Sequence, residues 1–97
     1  MGQFHCGLGR TFEFDDRTLT HLRTVILGKF ALAESFAFTW IDDGQQRSLW
    51  MHPSMPLMFE FDREGTPEIN PKWIEELVAL ASAPSGLRIV DEPKAVG

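Results

Sequence analysis

Hydrophobic positions in this 97-residue chain follow two periods that alternate along its length. Phe4, Cys6 and Leu8 alternate with His5 and Gly7, the period-two pattern of a strand with one buried face. After a turn at Gly9-Arg10, Thr11-Phe12-Glu13-Phe14 alternates again, so residues 3–14 predict a β-hairpin. Asp15-Asp16 then supplies a cap and first-turn negative charge. Leu19, Leu22, Ile26, Phe30 and Ala33 recur at helical spacing, predicting a helix from about Asp16 to Leu32. From Ser35 to Ile41 the period returns to two, with Phe36, Phe38 and Trp40 on one face. Asp42-Asp43-Gly44-Gln45 reads as a hairpin turn leading into a strand from Arg47 to Met51.

His52-Pro53-Ser54 breaks that strand, because proline lacks an N–H and restricts its predecessor. Leu57 to Phe61 alternates once more, with Leu57, Phe59 and Phe61 on one side. A polar connection over 63–69 leads to Asn70-Pro71, a cap residue followed by proline at the first helical position. Trp73, Ile74, Leu77, Leu80 and Ala81 form the apolar stripe of a second helix, through about Ala83. Ala83-Pro84-Ser85-Gly86 ends it, and Leu87 to Val90 predicts a last strand. The order ββ-α-βββ-α-β, with short turns between strands, predicts an α+β two-layer fold: a mostly antiparallel sheet and two helices. Residues 1–90 are expected to form one domain, and 91–97 a flexible C-terminal tail.

Composition sharpens this picture in three respects. Eight Phe and three Trp allow a core that is adequate though few residues build it. The expected radius of gyration is about 12–13 Å. The single cysteine, Cys6, permits no internal disulfide and suits a reducing compartment. The first residues lack the basic and apolar runs of a signal peptide, and no stretch approaches the roughly 18–20 apolar residues of a membrane helix. A cytoplasmic location is expected. Net charge is −5, with residues 1–59 holding six acids and five bases and residues 60–97 eight acids and four bases. No basic cluster appears, which disfavours nucleic-acid binding, an interaction driven by Lys and Arg at phosphates.

Side chains able to do chemistry are scattered. His5 and Cys6 are adjacent on one strand and therefore point to opposite faces, so no shared metal is expected of them. The acidic pairs 15–16, 42–43, 75–76 and 91–92 fit cap, turn, helix surface and tail, and none lies in the apolar setting that raises a carboxyl pKa for acid–base work. Neither a catalytic residue nor a cofactor is expected. The loop Trp50, His52 and Ser54 is a candidate ligand contact, although its prolines also serve simply to shape the turn.

The blocks Phe14-Asp15-Asp16-Arg17-Thr18-Leu19, Glu34-Ser35-Phe36-Ala37-Phe38-Thr39-Trp40, Leu49-Trp50-Met51-His52-Pro53-Ser54-Met55-Pro56-Leu57 and Trp73-Ile74-Glu75 resemble a family of small actinobacterial proteins of unassigned function. Some members of that family carry the label "ATP-dependent DNA ligase". The resemblance implies a stand-alone bacterial domain and brings no catalytic residues. Ligases of that class use a lysine in Lys-x-Asp-Gly; the only Asp-Gly here is Asp43-Gly44, and Ile41 stands where the lysine belongs.

The first helix carries more information. Opposite its core stripe lie Arg17, Thr20, His21, Thr24, Gly28 and Ala31, a small and lightly charged face where a solvated helix carries Lys and Glu. Gly28 costs about 1 kcal/mol against Ala inside a helix, which close approach of another backbone would offset. The leading expectation is a non-enzymatic interaction module, a homo-oligomer or a binder of a protein partner, joined through Arg17, His21, Thr24, Gly28 and Ala31 or through a sheet edge; the plainer alternative is that loops of the same chain cover the flanks of this helix. Two alternatives stand beside it. One is an accessory DNA-metabolism domain using Arg17, Arg23, Lys29, Arg47 and Trp50. The other is a small-molecule binder near Trp50, His52 and Trp73.

Overall fold

A computed structural model describes residues 1–7, 9–62, 65 and 67–94. Leu8, part of the 63–69 connection and residues 95–97 lie outside the described residues. The elements are β1 (Gly2–Cys6), β2 (Arg10–Phe14), α1 (Asp16–Ala31), β3 (Phe36–Asp42), β4 (Gln45–Met51), β5 (Leu57–Glu60), α2 (Pro71–Ala81) and β6 (Leu87–Arg88). Their order matches the expected ββ-α-βββ-α-β, in an α+β architecture.

The strands divide into two three-stranded sheets, ordered β2-β1-β5 and β4-β3-β6. In the first, β1 pairs antiparallel with both neighbours, setting Phe4 beside Phe12 and Phe59 on one face. In the second, β3 and β4 form a hairpin over seven residue pairs, from Phe36 with Met51 to Asp42 with Gln45. The two loop residues, Asp43 and Gly44, both take positive φ (50° and 79°), which matches the twist of the strands they join. β6 pairs parallel to β3, Phe38 beside Leu87, a pairing that requires a long crossover; here the crossover contains α2. Gly86 makes this docking possible: its φ is +83°, and a Cβ there would meet the Ala37 carbonyl oxygen at 2.5 Å.

The sheets meet through aromatic rings. Phe12 approaches Trp40 edge-on at 5.0 Å, and Phe4 and Phe14 each lie 6.4 Å from Phe38. Leu19, Leu22, Val25 and Ile26 of α1 and Trp73, Leu77 and Ala81 of α2 complete one buried cluster. The radius of gyration, 12.9 Å, agrees with the expectation for this length. No helix among the described residues is long and apolar enough to cross a membrane.

Both helix starts follow the sequence. The Asp15 side chain accepts from the Thr18 N–H at 3.0 Å, and the Asn70 side chain from the Lys72 N–H at 3.1 Å. α1 closes with the Glu34 N–H on the Lys29 carbonyl and the Ala33 N–H on the Phe30 carbonyl. Ala33 takes the left-handed conformation (φ 57°) that this closure requires. It therefore lies beyond the helix rather than on its stripe.

Candidate functional site

The face of α1 expected to be open proves to be two different surfaces. Its first half is covered by the chain itself. His21 is fully buried, against the expectation that it faces a partner. Its Nδ1 donates to the Arg17 carbonyl at 2.7 Å, and its Nε2 accepts from the Asn70 N–H at 2.9 Å. These two bonds hold the neutral ring in one tautomer. The ring also lies 4.5 Å from Trp73, and Thr20 beside it is buried too. The physical reason is that the chain on either side of α2 returns over this end of α1.

Arg17 belongs to the same junction. Its Nε and Nη2 donate to the two carboxylate oxygens of Glu92 at 2.6 and 2.5 Å, and its Nη1 to the Glu68 carbonyl at 3.0 Å. Asn70 Nδ2 donates both to Glu92 and to the Pro93 carbonyl, each at 2.9 Å. The Trp73 indole donates to the Val90 carbonyl at 3.1 Å. Within the 91–97 stretch, Glu92 and Pro93 thus bond back to Arg17 and Asn70. The Arg17 guanidinium, with Asn70 assisting, pulls the Glu92 carboxyl from 4.5 down to about 2. A hollow of about 630 Å³ opens beside this junction, lined by Arg17, Glu68, Asn70, Lys72 and Glu75 among others. Its charges are of mixed sign, and Arg17 is already committed to Glu92.

The second half of α1 is bare. Thr24, Leu27, Gly28 and Ala31 are exposed, with Leu27 at 42% and Leu32, just past the helix, at 71%. Nothing among the described residues lies within 4 Å of a Cβ placed on Gly28, so none of them makes the close backbone approach that would offset its cost. A shallow cavity of about 230 Å³ runs here between the helices, lined by Thr24, Val25, Gly28, Lys29, Leu32, Glu34 and Val78. Lys29 contributes little charge to it: the side chain is buried, with Nζ donating to Ser82 Oγ at 2.5 Å and 3.7 Å from Glu34.

The other candidate residues do not converge. Trp50 is 61% exposed on β4 and borders a cavity with Lys29, Ser82 and Pro84, whereas His52 and Ser54 are not among that cavity's lining. The His52 carbonyl instead accepts from the Met55 N–H, closing the turn, and Ser54 is exposed. Trp73 is a core residue whose ring lies tilted against His21, and it does not line the cavity that Trp50 borders. Of the four basic residues considered for nucleic acid, Arg17 is bound to Glu92, Lys29 is buried, and Arg47 donates to Asp42 at 2.8 Å. Only Arg23 is exposed without such a partner among the described residues.

Cys6 is buried, and His5 turns to the opposite face of the same sheet. There His5 bridges Thr11 Oγ1, 2.8 Å from Nδ1, and the Glu60 carboxylate at Nε2. A hydroxyl, an imidazole and a carboxylate in line have the order of a nucleophile, base and orienting acid. They sit on an open sheet face, however, where a cross-strand polar row is their physical role. Among the described residues no three His, Cys, Asp or Glu side chains gather in a metal-binding group.

The family model for the domain of unknown function DUF7882 matches residues 1–92. The chain belongs to that family. No match was found among curated proteins or among solved structures. The DUF7882 match ends at Glu92, the residue that clamps Arg17 and Asn70 together. Sequence reasoning missed that clamp and the His21–Asn70 bond. Asn70 reads along the chain only as a helix cap, and its partners lie far away in sequence.

Proposed function

We propose that this DUF7882 protein is a non-enzymatic self-association module, a homodimer joined through the outer face of the second half of α1. Support comes from the exposed side chains of that helix, which are Arg23, Thr24, Leu27, Gly28 and Ala31, a single charge among five residues. Leu32 and Val78 extend the same apolar surface. A helix that spends its life in water normally carries Lys and Glu at such positions. Exposed Leu32 and Gly28 line the same hollow, and in the proposed dimer a two-fold axis would seat each leucine in its partner's hollow. A standard interface takes about 800 Å² per partner, a modest share of the 6085 Å² this chain exposes. A reducing cytoplasm suits the single free thiol, Cys6.

Sedimentation velocity at micromolar concentration tests the proposal. The expected result is a dimer that Gly28→Glu and, separately, Leu32→Lys convert to a monomer of unchanged fold by circular dichroism. A wild-type protein that stays monomeric throughout that range overturns it.

A further inference from the structure

The two sheets leave a cleft of about 220 Å³ that is lined by residues of both and shares none with the hollow at the α1–α2 junction. Strand register dictates who faces it. Arg10 lies opposite Cys6 on the inward side of the first sheet, and Arg47 lies opposite Trp40 on the inward side of the second. Where the aromatic core runs out, each sheet thus presents an arginine. Both guanidinium groups settle over one ring, Arg10 at 5.5 Å and Arg47 at 5.4 Å from the Phe12 centroid. The attraction of a cation to an aromatic face holds each of them there.

Two like charges are therefore gathered around a single side chain in a protein whose net charge is −5. Their balance is incomplete. Arg47 donates to Asp42 at 2.8 Å, while Arg10 has no carboxylate within ion-pair distance among the described residues. One positive charge is left over at the mouth of a cleft whose walls include Phe12, Trp40 and Leu49, with Gln46 contributing an amide. An unspent guanidinium fork is matched in shape by a carboxylate or phosphate, and aromatic walls receive an apolar body.

We infer that the cleft between the sheets binds a small organic anion, a carboxylate or phosphate group held by Arg10 and Arg47 on a compact apolar body resting against Phe12 and Trp40. This site is independent of the α1 surface and of any dimer formed there.

NMR titration of the full chain tests it, following the Trp40 indole and Gln46 side-chain amide signals. The probes are benzoate, phenyl phosphate and inorganic phosphate, with benzyl alcohol as the neutral control. Saturable shifts at low-millimolar concentration or below are expected for benzoate or phenyl phosphate. Which of the two binds more tightly identifies the headgroup, and inorganic phosphate alone measures what the apolar walls add. Arg10→Gln is expected to weaken binding at least about tenfold, the loss of a charge-assisted hydrogen bond, while Arg88→Gln on β6, away from both surfaces, leaves it unchanged. Arg10→Lys keeps the charge and the stem but loses the fork, and is expected to bind more weakly than the wild type. Shifts that do not saturate, that benzyl alcohol reproduces, or that survive both Arg10 substitutions overturn the inference.

Discussion

The two halves of α1 make an instructive pair. Arg17 and His21 stand on the same helical face as Thr24 and Gly28, and a helical projection gives no reason to separate them. In the folded molecule the first pair is bound into a junction of α1, the start of α2 and the C-terminal segment. The second pair meets no covering segment among the described residues. What distinguishes them is reach: the His21 ring extends far enough to accept the buried Asn70 N–H, whereas the Thr24 hydroxyl turns back to the Thr20 carbonyl of its own helix and Gly28 has no side chain. Helical periodicity says which way a side chain points. It does not say whether the rest of the chain passes over it.

The largest expected contrast comes from removing the anchor. His21→Ala leaves the Asn70 N–H without its acceptor and opens a void against Trp73, so a loss of about 3–4 kcal/mol in urea unfolding is expected. A loss below about 1 kcal/mol would show that the junction is as dispensable as the bare half.

A smaller effect belongs to Glu92. Its carboxyl titrates lower in the folded chain, at about 2, than its ordinary value of 4.5, first because of Arg17 and then Asn70. The unfolded chain thus takes up the proton at the higher pH. The stabilisation is complete above pH 4.5 and is lost as pH falls from there through about 2. Urea midpoints across that window are expected to fall more steeply for the wild type than for Glu92→Gln, and parallel curves would remove Glu92 from the junction's energetics.

Smallest of the three is Gly28→Ala, which adds a methyl group to open space. At dilutions where the monomer dominates it is expected to raise stability by about 1 kcal/mol, the helix propensity difference alone. A destabilised monomer would mean that something of this chain does cover Gly28.

Periodicity made the order of elements legible because each strand and helix buries one face, and that face is written in alternating or helical spacing. The caps at Asp15 and Asn70 and the Asp43-Gly44 turn were equally readable, since their chemistry is local. The division into two sheets and the parallel seat of β6 were not, because Leu87 finds Phe38 across the intervening half of the chain. The exposure of Thr24, Gly28 and Ala31 was legible in the helical spacing, and the burial of His21 was not. Whether a polar side chain on a helix meets water or a returning segment depends on contacts that no local spacing encodes. The same limit hid the meeting of Arg10 with Arg47, which lie in different sheets.

The seat of β6 also bears on how the protein is born. Leu87 is fully buried beside Phe38, and Glu92 reaches back to Arg17. A ribosome releasing this polypeptide from its N-terminus exposes most of the aromatic side chains before their last covering pieces emerge. Closure must then wait until Leu87 and Glu92 have emerged, so nascent chains shortened before them are expected to be protease-sensitive and to depend on chaperone shelter.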